Sequence, residues 1–380
     1  MKNFVKLIKQ AHAERYSVVI ERIISKKIPV AFLSLAPTAQ AVEVVENIRA
    51  QRLNISTLIV IDNTPPPTVN VEFNVIHVSK AAQIYSQPEY IFAIDDISAR
   101  FAIKNFPVSK VLNINGGNTD HIYETFMTHL DDLQEVYESL IDEESRKTFR
   151  GYWLGNISNR LGDIVLANTP HYICAGFIPE RGAIVIDGGL CDGGTALRFS
   201  QMGFEVYGFE PDKTNYETAR IVGEENNFVV ENFGLGSFKH ETTFTHATNP
   251  GASRVDPHGK ETVKITTLDS YVREKNLPRV DFIKLDVEGG ELDVLRGATT
   301  TIARHKPILA LSAYHKWNDF WTVMNFVKSI RPDYEFAMRQ FVISKEDGAY
   351  HFRDGFEERL NNLGLRPVLV GMEECVLFAR

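Results

Sequence analysis

Between Ala183 and Asp212 the chain reads AIVIDGGLCDGGTALRFSQMGFEVYGFEPD. Asp187 closes a short apolar run of the kind a buried parallel strand needs. Gly188, Gly189, Gly193 and Gly194 follow, and without Cβ atoms they let the backbone turn sharply and approach a ligand. Thr195 opens a helical stretch to Met202 whose free N–H groups would face that ligand. A second apolar run, Phe204 to Phe209, ends at Glu210. Its distance past the glycines is about the twenty residues at which a nucleotide-binding βαβ unit places the acid that holds ribose hydroxyls. The pattern is D-x-G-x-x-x-G-x-T, not the G-x-G-x-x-G that opens on a pyrophosphate. An acid at the start of the turn repels phosphate and suits a cationic adenosyl ligand, a description that fits S-adenosylmethionine.

Ligands of open α/β sheets bind at the carboxyl ends of the strands, and further polar residues stand at such ends. The run ending in KLDVEGGE puts Asp286 at a strand end, and Glu288, two residues on, points the same way in extended backbone. The run ending in SAYHKWND brings His315, Lys316 and Asp319 to the same rim. His315 is the first candidate for a general base, because an unperturbed histidine titrates near neutral pH; Asp286 is the second. Asn232, after a third run, is placed to reach the adenine side. Tyr314 and Arg339 are candidates for contact with an acidic or sugar acceptor. No metal is expected; the alternative is that Asp286, Glu288 and His315 hold a divalent cation that orients acceptor oxygens.

These residues need a sheet to position them, and the chain supplies two. At 380 residues it is too long for one ordinary domain. The first glycine is Gly116. Before it, strands are expected at Pro29 to Leu35, Thr57 to Ile61, Val75 to Val78, Tyr90 to Ile94 and Val111 to Ile114. Helices are expected at Phe4 to Ile24 and Ala39 to Arg52, with a rigid loop at Pro65 to Pro67. This predicts a smaller Rossmann-like α/β domain over residues 1–116 whose first turn, Ser34 to Thr38, lacks the glycine a diphosphate would need. Its expected role is scaffolding, docking or acceptor recognition. Residues 117–170 read as a helical linker, with helices at His121 to Ile141 and Glu143 to Leu154. Residues 171–380 read as the domain that carries the chemistry. Its remaining strands are expected at Phe228 to Glu231, Val263 to Thr267, Val280 to Leu285 and Ile308 to Ala313. Helices are expected at Glu291 to Ala303 and Trp321 to Ile330. Tyr334 to Ile343 and Cys375 to Arg380 form a closing pair, one strand antiparallel to the rest.

Composition narrows the class. Hydrophobic residues at 44% and charged residues at 24% are those of a soluble globular protein. A net charge of −8, with no Lys/Arg run interleaved with aromatics, argues against nucleic acid as substrate. Cys174, Cys191 and Cys375 are scattered, which excludes a zinc knuckle and fits a reducing compartment. The opening MKNFVKLIKQAHAER lacks the apolar core of a signal peptide, and no apolar run is long enough to span a membrane. A cytoplasmic location is therefore expected. The oligomeric state is not legible.

IDGGLCDGGT, VYGFEPD, FIKLDVEGGELDVLRGA and SAYHK, in this order, resemble the FkbM-type methyltransferases over about residues 170 to 340. The resemblance implies a class I methyltransferase fold: a seven-stranded sheet with one antiparallel strand, binding S-adenosylmethionine. It implies methyl transfer to a hydroxyl of a small-molecule acceptor, often a sugar or secondary metabolite. By position it assigns Asp187 and Gly189 to the cofactor turn, Glu210 to the ribose and Asp286 to the rim near the transferring methyl. Gly188, Gly193, Thr195 and Pro211 fall in the same cofactor-binding motifs. Leu190-Cys191 departs from the Ala and Asn more common in the family, beside the methionine moiety. Two other classes remain in view: a nucleotide-sugar glycosyltransferase on two Rossmann-like domains, whose metal-dependent form would carry a D-x-D pair absent here, and a non-catalytic assembly protein.

Overall fold

The computed structural model describes residues 2–13, 22, 25–26, 30–34, 55–60, 74–77, 90–93, 111–113, 119–158, 164–245, 254–255, 259, 261–342 and 373–380. Two compact units divide the chain. One comprises Met1–Leu130, Lys147–Val165 and Val342–Met372, the other Asp131–Arg146, Leu166–Phe341 and Glu373–Arg380.

The first unit begins with helix α1 (Lys2–Ala13), which buries Phe4, Ile8 and Ala11, positions that fall on one helical face. Strands β1 (Val30–Ser34), β2 (Ile55–Val60), β3 (Asn74–His77), β4 (Tyr90–Ala93) and β5 (Val111–Asn113) form a sheet in the order β3-β2-β1-β4-β5. Every pairing is parallel. The smaller α/β domain with a parallel sheet is thus present. Its expected helix at Ala39 to Arg52 and the proline loop lie outside the described residues. Helix α2 (Thr119–Thr128) belongs to the same unit. Phe4 packs edge-on against Phe126 at 5.6 Å, and Phe126 against Trp153 at 5.3 Å. The single helix expected from His121 to Ile141 is two, α2 and α3 (Leu130–Ser139), the second opening on Asp131 and Asp132. Acids in a first turn favour a helix start there. Helix α4 (Glu143–Ser158) follows.

In the second unit the chain alternates β6 (Ile184–Gly188), α5 (Gly194–Gln201), β7 (Glu205–Phe209), α6 (Lys213–Asn226) and β8 (Val229–Glu231). Next come β9 (Gly234–Leu235), β10 (His240–Thr245), β11 (Arg254–Val255), β12 (Glu261–Thr266) and α7 (Leu268–Glu274). The chain ends with β13 (Phe282–Leu285), α8 (Glu291–Arg296), α9 (Thr299–His305), β14 (Ile308–Ser312), α10 (Asp319–Ile330), β15 (Phe336–Val342) and β16 (Glu373–Ala379). The main sheet is seven-stranded, in the order β15-β16-β14-β13-β6-β7-β8. From β8 to β14 all pairings are parallel; β16 runs antiparallel to β14, with Leu309 opposite Ala379 and Ser312 opposite Val376. Glu335 and Arg380 exchange both backbone hydrogen bonds beyond β15 and β16, the mark of an antiparallel pair. The central strands are apolar but for Asp187 and Lys284 because both faces are covered: all five residues of β6 and all four of β13 are buried.

A second sheet, β11-β10-β12-β9, stands apart from the main one. The extended segment expected at Val263 to Thr267 is its β12; β10 and helix α6 were not foreseen. The helix expected at Glu291 to Ala303 is broken into α8 and α9 at Gly297 and Ala298. Two contacts cause the break. A Cβ on Gly297 would lie 2.0 Å from Gly236 O, so another stretch of backbone passes through that point. Asp269, in the first turn of α7, accepts hydrogen bonds from Thr300 N (2.9 Å), Thr301 N (2.8 Å) and Thr301 Oγ (2.7 Å). A carboxylate from outside the helix thereby caps the orphan N–H groups of α9. Among the described residues no helix is long and apolar enough to cross a membrane.

Candidate functional site

A cavity of about 530 Å³ opens at the carboxyl ends of β6, β7 and β13. Gly189 stands at its floor with φ +78°, and a Cβ there would sit 1.7 Å from Asp286 O. No side chain fits between these two strand ends. The N–H groups of Gly189 and Leu190 both donate to Phe209 O, which ties the turn to the end of β7. Cys191 then adopts a left-handed conformation (φ 53°) and donates its N–H to Glu210 Oε2 at 2.8 Å. The other oxygen, Oε1, accepts from Asp212 N at 2.8 Å. Glu210 is 5% exposed and borders the cavity. Burial pushes its carboxyl up to about 7 against the pull of those two N–H donors. Two acids two residues apart therefore do different work: Asp212 caps α6, accepting from Thr214 N and Asn215 N.

The other residues expected at the cofactor end are distributed around this core. Pro211 lines the cavity beside Glu210. Gly188 closes β6, where an added Cβ would meet Leu285 Cδ2 at 2.8 Å. Gly193 precedes α5 with φ +89°, and Thr195 lies in the first turn of that helix. Asn232 supports Glu210 from behind, donating from Nδ2 to Glu210 O at 3.0 Å. Asp187 is fully buried and turned away from the cavity, its Oδ1 2.9 Å from Lys284 Nζ. The two face each other across paired strands, since Lys284 is in register with Asp187. Burial raises the Asp187 carboxyl despite that partner. For Lys284 burial pulls downward, but Asp187, Asp286 and Glu374 outweigh it and the ammonium is held well charged. Lys284 also donates to Gly189 O at 2.6 Å, so it braces the glycine turn.

The opposite wall is acidic. Asp286, Val287, Glu288, Gly289 and Gly290 line the cavity just past β13. Glu288 holds a positive φ of 54°, a conformation that is costly for a side-chain-bearing residue and that concentrates at working sites. Glu291 is 1% exposed and accepts from Val287 N at 2.9 Å, which folds this loop back on itself. Asp286 accepts from the hydroxyls of Tyr172 (2.8 Å) and Tyr314 (3.3 Å). His315, past the end of β14, sets Nε2 3.5 Å from Asp286 Oδ1 and 3.6 Å from Glu288 Oε2, and Nδ1 3.2 Å from Glu291 Oε1. The structure thus brings Asp286, Glu288 and His315 together, as the strand-end argument expected.

Charge in this cluster departs from ordinary titration. Burial alone would lower His315, but Glu291, Asp286 and Glu288 raise it to about 9. Burial raises Glu288 to about 7, with His315 opposing. Asp286 is held below the usual carboxylate range: burial works against this, and Lys284, His315 and the Tyr172 hydroxyl overcome it. The near-neutral titration that recommended His315 from sequence therefore does not apply here; its neighbours keep the imidazole protonated at pH 7.

Several supporting residues were not anticipated. Tyr172 is buried, and its hydroxyl also meets Ser312 Oγ at 3.2 Å and Glu374 Oε2 at 3.3 Å. His171 Nε2 lies 2.9 Å from Glu374 Oε2. Lys284 interrupts the apolar strand FIKL, and an isolated charge in such a run is a signal the sequence does carry; Glu374 follows Glu373 at the start of β16. Ser237, Phe238, His240 and Phe244, from β10 and the segment before it, also line the cavity. Lys316, expected at the rim, lines the cavity and donates to Gly289 O, and of the acceptor candidates Tyr314 bonds Asp286. Arg339 instead pairs with Asp142 (3.1 Å) and Glu144 (3.0 Å).

Residues 187–352 match the family profile described as the methyltransferase FkbM domain. The fold is similar to the crystal structure of methyltransferase FkbM from Methylobacillus flagellatus, with a TM-score of 0.62, 16% identity, and coverage of 99% of this chain and 98% of that one. At that identity the likeness is one of fold. A S-adenosylmethionine-dependent methyltransferase from Geobacter sulfurreducens in complex with S-adenosyl-L-homocysteine aligns at a TM-score of 0.27 and 12% identity, over 53% of this chain and 85% of that chain. Among curated proteins, hexuronic acid methyltransferase AglP of Haloferax volcanii is 29% identical over 102 residues. That stretch is 26% of this chain and 42% of the relative, so the chain spans less than half of the relative's length.

Proposed function

We propose that this chain, whose residues 187–352 match the methyltransferase FkbM domain, moves a methyl group from S-adenosylmethionine to a hydroxyl of a small acceptor, with a carbohydrate as the leading class. Methyl transfer is the activity of the family. The hydroxyl and the sugar are our reading, supported by AglP, whose name gives a hexuronic acid as what it methylates.

The observation that carries the reading is one cavity lined by Glu210 together with Asp286 and Glu288. Each Glu210 oxygen spends one lone pair on a backbone N–H and keeps another for a ribose hydroxyl. The Gly189 turn admits a ligand close to the backbone, and an acidic wall suits a sulfonium. The residues present therefore fit the cofactor. When bound, it supplies an electrophilic methyl carbon, which the acceptor oxygen takes by in-line displacement to leave S-adenosylhomocysteine.

The chain's own residues do the rest. Glu210, Pro211 and the turn at Gly189 orient the adenosyl end. The cluster of Asp286, Glu288 and His315 faces the acceptor oxygen, and its carboxylates take the hydroxyl proton. Aligning two reactants supplies up to about 7–11 kcal/mol of a barrier, whereas a base contributes about 10²–10⁴-fold, about 3–5 kcal/mol. Positioning is therefore the larger part. The test is incubation of the full chain with S-adenosylmethionine labelled in its methyl group and a panel of sugars and other hydroxylated metabolites, followed by mass spectrometry. A labelled ether and an equal amount of S-adenosylhomocysteine are expected. Label in an amine, or no cofactor binding on calorimetry, would overturn the reading.

A further inference from the structure

The acidic rim has a geometry that proton transfer does not require. Three side chains from two strand ends converge there, and one ligand atom from each of Asp286, Glu288 and His315 lies within 4.8 Å of the others. His315 Nε2 is 3.5 Å from Asp286 Oδ1 and 3.6 Å from Glu288 Oε2. Both distances exceed a hydrogen bond between a ring nitrogen and an oxygen. Neither ring nitrogen makes a hydrogen bond, although the side chain is only 10% exposed. Donor atoms about 3.4 Å apart are what metal bonds of about 2.1 Å produce at tetrahedral angles.

The surroundings agree. The other ring nitrogen, Nδ1, lies 3.2 Å from Glu291 Oε1. A carboxylate on the far nitrogen is the usual means of fixing the tautomer and orientation of a ligating histidine. Glu291 is itself held by Val287 N, in the loop that joins Asp286 to Glu288. Two carboxylates balance a double positive charge, and an imidazole beside them suits a first-row transition ion better than magnesium or calcium, which prefer all-oxygen sites. Asp286 and Glu288 also line the cavity, which leaves positions on the ion open toward an acceptor.

We propose that Asp286, Glu288 and His315 bind one divalent transition-metal ion, manganese or zinc in class, with Glu291 as the positioning residue behind His315. On the cavity side the ion takes an acceptor oxygen and makes its hydroxyl more acidic. This role rests on the methyl-transfer reading; the binding site does not. The full chain, stripped with chelator and dialysed, is titrated with Mn²⁺ followed by electron paramagnetic resonance and with Zn²⁺ by calorimetry, without cofactor or acceptor. One saturable equivalent is expected. His315→Ala and Glu288→Gln should each weaken it about tenfold or more, and Glu291→Gln about 10–100-fold. Asp293→Asn, on the same cavity but outside the cluster, should leave affinity unchanged. Glu288→Gln preserves side-chain size at a position 27% exposed, so it reports on binding even if His315→Ala misfolds. Co²⁺ substitution gives a second readout, visible absorption bands that His315→Ala removes. The absence of a saturable equivalent for either ion, or unchanged affinity in both His315→Ala and Glu288→Gln, would overturn the site. Because no cofactor is present, that failure is distinguishable from a failure to transfer methyl.

Discussion

The chain contains two parallel sheets wound in the same order. In the first unit the strands run β3-β2-β1-β4-β5, and in the second the corresponding series is β8-β7-β6-β13-β14. In each, the first strand lies at the point where the order reverses, which is where open α/β sheets bind ligands. Past that strand they part company. After β6 comes Gly189 with φ +78°, pressed against Asp286 O; after β1 the sequence is Leu35-Ala36-Pro37-Thr38, with no glycine. Just past β7, Glu210 and Pro211 line a cavity; β2 closes at Val60 and is followed by Ile61 and Asp62. The second sheet also gains an antiparallel strand, β16, which brings Glu374 beside Tyr172. The winding order is shared; what differs is the residues that follow the strands.

The comparison can be broken most severely at Gly189. Gly189→Ala places a Cβ 1.7 Å from a carbonyl oxygen at a positive φ. Overpacking of about 1–3 kcal/mol or more adds to a left-handed penalty of about 1–2 kcal/mol. We expect a lowered melting temperature and no measurable cofactor binding by calorimetry. His315→Ala is next: turnover should fall about 10²-fold with cofactor affinity intact, a split that steady-state kinetics and calorimetry together resolve. Wild-type turnover would remove His315 from the reaction.

Glu210→Ala should weaken cofactor binding about tenfold or more, about 1.4 kcal/mol. Glu210 also predicts a pH dependence. Its folded-state carboxyl titrates at about 7, above the ordinary 4.5. The folded chain then holds a proton that the unfolded chain has lost, so this group favours folding below 4.5 and that favour drains away as pH climbs to 7. Melting temperature measured across that window should fall with pH in the wild type and fall less in Glu210→Gln. The smallest effect is expected in the other sheet. Ser34→Ala, at the end of β1, should change cofactor affinity by no more than about 0.5 kcal/mol. A tenfold loss there would mean that the first sheet also serves the cofactor.

Much of the fold was legible because buried parallel strands write themselves as short apolar runs. All five strands of the first sheet fall within about two residues of their expected places, in keeping with the ordinary uncertainty of element ends. What escaped has a common cause. Strand β10, HETTFT, buries only Phe244 and offers no apolar run to read. The break between α8 and α9 is imposed by Gly236 and Asp269, which are distant in sequence. Asp187 was legible as a strand-end acid, but its partner was not, because only strand register reveals that Lys284 faces it. At the rim, residue types and spacing located Asp286, Glu288 and His315. The charge of His315 depends on Glu291, which the helical pattern marks only as a first-turn acid.

The break at Gly297 reaches beyond helix geometry. Gly297 does not line the cavity, yet its missing Cβ is what admits the backbone of Gly236, and Gly236 forms part of the cavity wall. Gly236 N is tied in turn to Thr266 O, and Asp269 N to Gly297 O. The width of the cavity mouth is therefore gauged from the outside, by how deeply one backbone can nest into a gap between two helices. Any side chain at 297 would act as a shim, displacing that stretch of the wall while every residue that lines the cavity stayed the same.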